Sequence, residues 1–249
     1  MLKRWVLLAA TWSSVGLPVA AMAEEGGFAL QHAGTDINNT QSLQRGARNF
    51  MNYCSGCHSL KYLRYNRMAE DLKIPESELT ANLMFTTDKA FDTVNVAMPP
   101  ESEVWFGKQP PDLSLIARAR GTDYLYSLLH GFYADKTRPW GVNNLFLPAI
   151  AMPHVLQGLQ GLQKPVFKSE PDEKGGAKMV MTGVEMMTPG SMKPEEYDVF
   201  VRDLVNFLDY AGEPVKATRQ ALGLWVTLFL LVFFAFAFLL KKEYWKDIH

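Results

Sequence analysis

Five residues constrain this chain more than any others: Cys54-Ser55-Gly56-Cys57-His58. The spacing is C-x-x-C-H, the pattern through which a c-type haem is attached. The two thiols add to the two vinyl groups of the porphyrin and become thioethers, and one helical turn between them matches the separation of those vinyls. His58, next in line, then faces the ring centre, where its imidazole nitrogen serves as the proximal iron ligand. Rival chemistries fit less well. A thioredoxin-like pair also uses C-x-x-C, but it has no need of the histidine and belongs in a βαβ pattern that is not evident here. A structural zinc site needs four ligands, and the chain has no second cysteine pair. A Cys54–Cys57 disulfide is the plain alternative for an exported protein. An exported chain that spends both of its cysteines in this motif points instead to one covalent haem c.

The two ends of the chain say where that chemistry happens. Lys3 and Arg4 precede an apolar stretch over residues 5–17, and Ala21-Met22-Ala23 reads as an A-x-A cleavage site. Residues 1–23 are therefore expected to be a signal peptide. The stretch is neither Arg-rich nor amphipathic, as a mitochondrial presequence would be. Export suits the motif, because bacterial c-type haem is attached outside the cytoplasmic membrane. Near the other end, residues 221–240 run for twenty positions without a charge. At about 1.5 Å per residue such a helix spans about 30 Å, the thickness of the hydrocarbon layer. A buried core helix is rarely apolar on every face for so long. The stretch is expected to be a transmembrane anchor, with residues 241–249 left in the cytoplasm and Trp225, Tyr244 and Trp245 at the interfaces. Residues 24–212 then form one exported domain, larger than a minimal haem domain. With 25 basic against 26 acidic side chains, the chain lacks the basic excess of a nucleic-acid-binding protein, and no such partner is expected.

Within the domain, Leu43, Ala47 and Phe50 recur at helical spacing behind Thr40, so a helix capped by Thr40 leads into the cysteines. Residues 59–71 mix aromatics with Lys61, Arg64 and Arg67. Pro75 opens a short helix, Asp112 caps another that carries Leu113, Ile116 and Ala117, and residues 122–130 make a third, ended by Gly131. Residues 135–194 hold many prolines and glycines and read as a long loop region wrapping the haem, with short β-structure around residues 178–182. Residues 194–208 are a strongly amphipathic helix: Pro194 suits its first turn, and Tyr197, Phe200, Val201, Leu204, Val205 and Leu208 share one face.

The second iron ligand decides between a carrier and an open, reactive site. Methionine raises the haem potential relative to histidine, whereas a vacant position admits oxygen or substrate. Three methionines stand in proline-containing loops of the kind that folds over a ring: Met98, Met152 and Met187. Spacing alone does not choose among them. His130 and His154 read as surface or core histidines.

Taken together, these residues resemble the cytochrome c1 family, the haem subunit of the ubiquinol–cytochrome c oxidoreductase (bc1) complex. The resemblance covers nearly all of the mature chain. It rests on residues 42–47 leading through Tyr53 to Cys54, on Cys57-His58-Ser59, and on Arg64-Tyr65-Asn66-Arg67. Pro110-Pro111-Asp112-Leu113-Ser114 with Ala117-Arg118-Ala119-Arg120 continues it, as do residues 147–153 and the C-terminal anchor. It implies that Met152 is the axial methionine, that Arg120 pairs with a haem propionate, and that Pro111 packs on the ring. It implies a mostly α, cytochrome-c-like haem domain with long loops plus one C-terminal transmembrane helix. The function it implies is a redox subunit, not an enzyme on its own, passing electrons from the Rieske iron–sulfur protein to cytochrome c. Cytochrome b, the Rieske subunit, a cytochrome c acceptor and the lipid bilayer are the implied partners, in a dimeric complex at the bacterial inner membrane with the haem domain in the periplasm. The chain departs from the family in lacking a further cysteine pair. Glu70-Asp71, Glu76–Glu78 and Glu101–Glu103 are acidic candidates for a docking surface.

Overall fold

The computed structural model describes residues 24–247 apart from Gly26, residues 96–97 and residues 172–175. The signal segment expected over residues 1–23 lies outside the described residues. In chain order the elements are β1 (Glu24–Glu25), β2 (Phe28–Ala29), α1 (Thr40–Tyr53), β3 (Leu60–Arg64), α2 (Tyr65–Leu72), α3 (Glu76–Asn82), β4 (Thr93–Val94), α4 (Ser102–Phe106), α5 (Ile116–Arg120), α6 (Thr122–His130), β5 (Phe132–Ala134), β6 (Val142–Asn144), α7 (Gln157–Gln160), β7 (Gly161–Pro171), β8 (Ala177–Pro189), α8 (Pro194–Gly212) and α9 (Lys216–Tyr244). The architecture is mostly α, and among the described residues each of the four sheets is a two-stranded antiparallel pair.

The core forms where α1 and α8 pack together. On α1, Leu43, Ala47 and Phe50 are buried, and on α8 so are Tyr197, Phe200, Val201, Leu204, Val205 and Leu208. Both helices thus bury the apolar stripe that their spacing predicts. They approach so closely that a Cβ on Gly46 would lie 2.1 Å from the Asp203 carbonyl oxygen and 2.6 Å from Phe207 Cβ. A buried polar network sets their register. Ser42 Oγ donates to Asp203 Oδ1 at 2.6 Å, Arg45 Nε donates to Asp203 Oδ2 at 2.5 Å, and Asn206 Nδ2 donates to Ser42 Oγ at 3.0 Å. Each fully buried large apolar side chain is worth about 1.5–3 kcal/mol, against about 0.5–1.5 kcal/mol net for a hydrogen bond. Apolar contact therefore holds the pair together, and the network fixes which residues face each other.

Local readings of the chain differ from the structure in three places. The cap of α1 is Asn39, whose side chain accepts from the Ser42 N–H, one residue before the expected Thr40. Asp112 does not cap α5 but accepts from the Ser114 N–H inside the preceding turn. The expected long loop is largely a β-hairpin: β7 and β8 pair from Gly161↔Pro189 to Pro171↔Ala177. A two-stranded ribbon is all edge, so it tolerates Pro165 and Pro189, which argue against a central strand. Its base is tied down by Gln163, whose Nε2 donates to the carbonyls of His130 and Phe132 at 2.7 and 2.9 Å.

Helix α9 is long and apolar enough to cross a membrane, and none of its residues is buried against the rest of the chain. Three residues separate it from the end of α8. That junction is closed by Lys216 on Asp209 at 2.8 Å, Arg219 on Glu213 at 2.6 Å and Arg118 on Glu213 at 3.7 Å.

Candidate functional site

The last turn of α1 continues directly into the cysteine motif. The Cys54 N–H donates to the Phe50 carbonyl, and the Cys57 and His58 N–H groups both donate to the Cys54 carbonyl at 3.0 and 2.9 Å. This tight turn presents both thiols and the imidazole to one cavity of about 410 Å³, within the roughly 300–1,000 Å³ of typical cofactor clefts. Both cysteines are free thiols, not a disulfide. Burial pushes the Cys54 thiol up to about 12, with neighbouring Cys57 adding to the shift, and burial also raises Cys57. A reactive redox pair needs a depressed thiol pKa, so the surroundings of this pair are unlike those of a thioredoxin-type motif.

His58 is oriented by a segment far away in sequence. Its Nδ1–H donates to the Pro111 carbonyl at 2.7 Å, which leaves the Nε2 lone pair for a metal. Desolvation lowers the His58 pKa, against the opposing Pro111 bond and nearby Asp112, so the imidazole is neutral at pH 7. The Pro111 segment is in turn stitched to the residues after the motif. The Lys61 N–H donates to Asp112 Oδ2 at 2.9 Å, the Tyr62 N–H to Ser114 Oγ at 3.2 Å, and the Leu113 N–H to the Ser59 carbonyl at 2.9 Å. Sequence reading expected Pro111 only as a packing surface. The hydrogen bond made by its carbonyl had no signal in the chain.

All six expected site residues, Cys54, Cys57, His58, Pro111, Arg120 and Met152, line this cavity. Arg120 ends α5, and its guanidinium carbon lies 4.2 Å from the centre of the Tyr124 ring, another wall residue. Leu125, Leu128 and Leu129 of α6 and Leu204 and Leu208 of α8 also contribute to the wall. Tyr53, Lys108 and Gln109 line it as well and were not foreseen. Met98 and Met187, the competing methionines, are not in its wall, and Met187 is 49% exposed on β8. His130 bonds to Asp198 at 2.9 Å, and His154 stacks on Phe132 with ring centres 4.6 Å apart. Of the acidic docking candidates, Asp71 is engaged within the domain by Arg67 and Tyr210 at 2.6 and 2.8 Å.

The donor set fits a haem. Two thiols and a neutral imidazole share a largely apolar cavity with a thioether, and an arginine stands at the same wall for a carboxylate. Among the described residues no group of three or more His, Cys, Asp and Glu side chains converges to hold a bare metal ion.

Comparison with known proteins identifies the family. The model of the Cytochrome C1 family matches residues 32–104 and 86–248. The cytochrome c1 of Allochromatium vinosum is 49% identical over 233 residues, 93% of this chain and 95% of that protein. A protein of Nitrosomonas europaea named ammonia monooxygenase gamma subunit is 46% identical over 221 residues, 88% of this chain and 89% of its own. The cytochrome c1 of Rhodospirillum rubrum is 28% identical over 272 aligned positions, covering 92% of each chain.

Proposed function

Because the chain belongs to the cytochrome c1 family, we propose that it is the subunit of a bc1 complex that takes electrons from the Rieske iron–sulfur protein and delivers them to cytochrome c. The observation that carries this reading is the convergence of the C-x-x-C-H motif and Met152 on one apolar cavity. When bound, the haem supplies a one-electron ferric/ferrous couple. The chain's residues do the rest. Cys54 and Cys57 would hold the porphyrin through thioethers, His58 would offer Nε2 because Pro111 occupies Nδ1–H, and Met152 would offer its thioether sulfur. Arg120 neutralises a propionate. A nitrogen and a sulfur ligand both kept in place by the fold would leave little to rearrange on electron transfer and no position open to oxygen. Anchorage by residues 221–240, with residues 24–212 in the periplasm and residues 241–249 in the cytoplasm of a bacterium, puts the haem on the side where cytochrome c1 and its acceptors meet. The partners are cytochrome b, the Rieske protein, a cytochrome c and the bilayer, in a dimeric assembly.

The test is purification from membranes in mild detergent, followed by a reduced-minus-oxidised spectrum with and without carbon monoxide. A sharp low-spin c-type α-band unmoved by carbon monoxide, in a preparation containing cytochrome b and Rieske subunits, is the expected result. A band that carbon monoxide shifts would sink the closed-carrier reading. The Nitrosomonas relative favours a second reading, the same carrier serving a different membrane oxidoreductase. Co-purification with oxidase subunits in place of cytochrome b would establish it.

The anchor should be separable from the site. A chain stopped after Gln220 keeps the Lys216–Asp209 and Arg219–Glu213 pairs and loses the apolar stretch with the short tail beyond it. It should be released as a soluble, haem-loaded domain, checked by gel filtration and the α-band. An aggregated or haem-free product would show that the two parts are not independent.

A further inference from the structure

The turn that carries Met152 is gripped from outside the cavity. Three residues before it, Ala149 adopts a left-handed backbone with φ 61°, a conformation that a residue with a Cβ keeps only when its surroundings impose it. Both of its peptide groups are taken by side chains of one hairpin. Its N–H donates to Asn143 Oδ1 at 2.8 Å, and its carbonyl accepts from Arg138 Nη2 at 2.9 Å. Asn143, at the register position opposite Tyr133 in the β5–β6 pair, is itself held. Its Oδ1 also accepts from the Asn144 N–H at 2.9 Å, and its Nδ2 donates to Asp135 Oδ2 at 3.0 Å. Asp135 accepts from the Thr137 hydroxyl and N–H at 2.6 and 3.0 Å. Those bonds and the one from Asn143 hold its carboxyl below the usual range, so it stays an acceptor. The residue after Ala149, Ile150, is buried in a small core with Phe132 and Val142, against which Met152 also packs. Neither Asn143 nor Arg138 lines the cavity.

From this geometry we propose that Asn143 and Arg138 are positioning residues for Met152. By fixing Ala149 in its left-handed turn, they direct the following segment into the cavity and keep the thioether there. The inference rests on the reading of Met152 as the iron ligand. It assigns to a polar clamp on one hairpin the task of holding that ligand in place.

The experiment uses the full-length, haem-loaded protein in detergent and reads the fraction of ferrous haem that binds carbon monoxide, with haem content measured alongside. In Asn143→Ala that fraction should rise about tenfold, the scale on which one lost hydrogen bond shifts a loop equilibrium, while the haem stays covalently bound. Arg138→Met, which removes the bond to the Ala149 carbonyl together with a positive charge near Asp135, should do the same, and it is read alone if Asn143→Ala yields no haem protein. The exchanged pair Asn143→Asp with Asp135→Asn rebuilds the bond between the two side chains with donor and acceptor reversed, and should return the protein to a closed state. Met152→Ala serves as the reference. If it stays closed to carbon monoxide, the ligand reading itself fails. If it opens while the two clamp variants stay closed, or if the exchanged pair stays open, the clamp proposal is overturned.

Discussion

Met152→Ala will lower the haem midpoint potential by more than about 59 mV, a tenfold shift toward the ferric state for a one-electron couple, and will let the ferrous iron bind carbon monoxide. Thioether sulfur is a soft donor that favours ferrous iron, so its loss stabilises the ferric state. Alanine leaves a gap beside a wall that is almost entirely apolar, formed by Ile150, Leu125 and Leu128 among others. The one lysine in that wall, Lys108, is exposed, so its ammonium stays hydrated and is a poor substitute for the sulfur at neutral pH. A redox titration and a carbon monoxide difference spectrum measure both effects. Met98→Ala and Met187→Ala should change neither, since neither residue lines the cavity. If one of those two produced the change and Met152→Ala did not, the assignment of the ligand would be wrong.

Gly46→Ala should cost about 3 kcal/mol or more, the upper range for overpacking. The added methyl would sit 2.1 Å from the Asp203 carbonyl oxygen and 2.8 Å from its carbonyl carbon. Both are backbone atoms in the middle of α8 and cannot swing aside as a side chain would. The two helices must separate, and separation strains the Ser42–Asp203–Arg45 network that sets their register. Because α1 runs straight into Cys54, the damage reaches the haem. Thermal melts should show a large drop in Tm, and the yield of covalently loaded protein should fall with it. A variant of wild-type stability would mean that the close approach of the helices is not tight in solution.

The parts of this fold that could be read from the chain are those whose signal is local. α1, α6 and α8 carry 3.6-residue apolar periodicity, and the residues at those positions are the buried ones. The C-x-x-C-H spacing is a statement about a single helical turn, and the backbone bonds from Cys57 and His58 to the Cys54 carbonyl make that turn. What could not be read depends on distant partners. Three methionines were equivalent by spacing because the choice lies in where their loops go, and the loop of Met152 is routed by Asn143 and Arg138. The role of the Pro111 carbonyl depends on a contact between residues 53 positions apart. The β7–β8 hairpin escaped notice because an isolated ribbon needs no continuous apolar alternation, and its prolines read as loop punctuation. The Asn39 cap differs from the expected Thr40 by a single position: both residue types cap helices, and Asn is the stronger of the two.

The three-residue junction between α8 and α9 has a mechanical consequence. A tethered redox domain searches for its partners by swinging on a slack linker. Here the helix that packs against the cysteine-bearing α1 passes into the anchor through a bend braced by Asp209, Glu213, Lys216 and Arg219, with Arg118 bracing the same bend from α5. With α9 as the anchor proposed above, the cavity would stand on a short post, separated from the membrane-spanning helix by only the three residues of that bend. In a relay built around such a post, reach is the business of the other components: whatever hands over or collects an electron must make the journey itself.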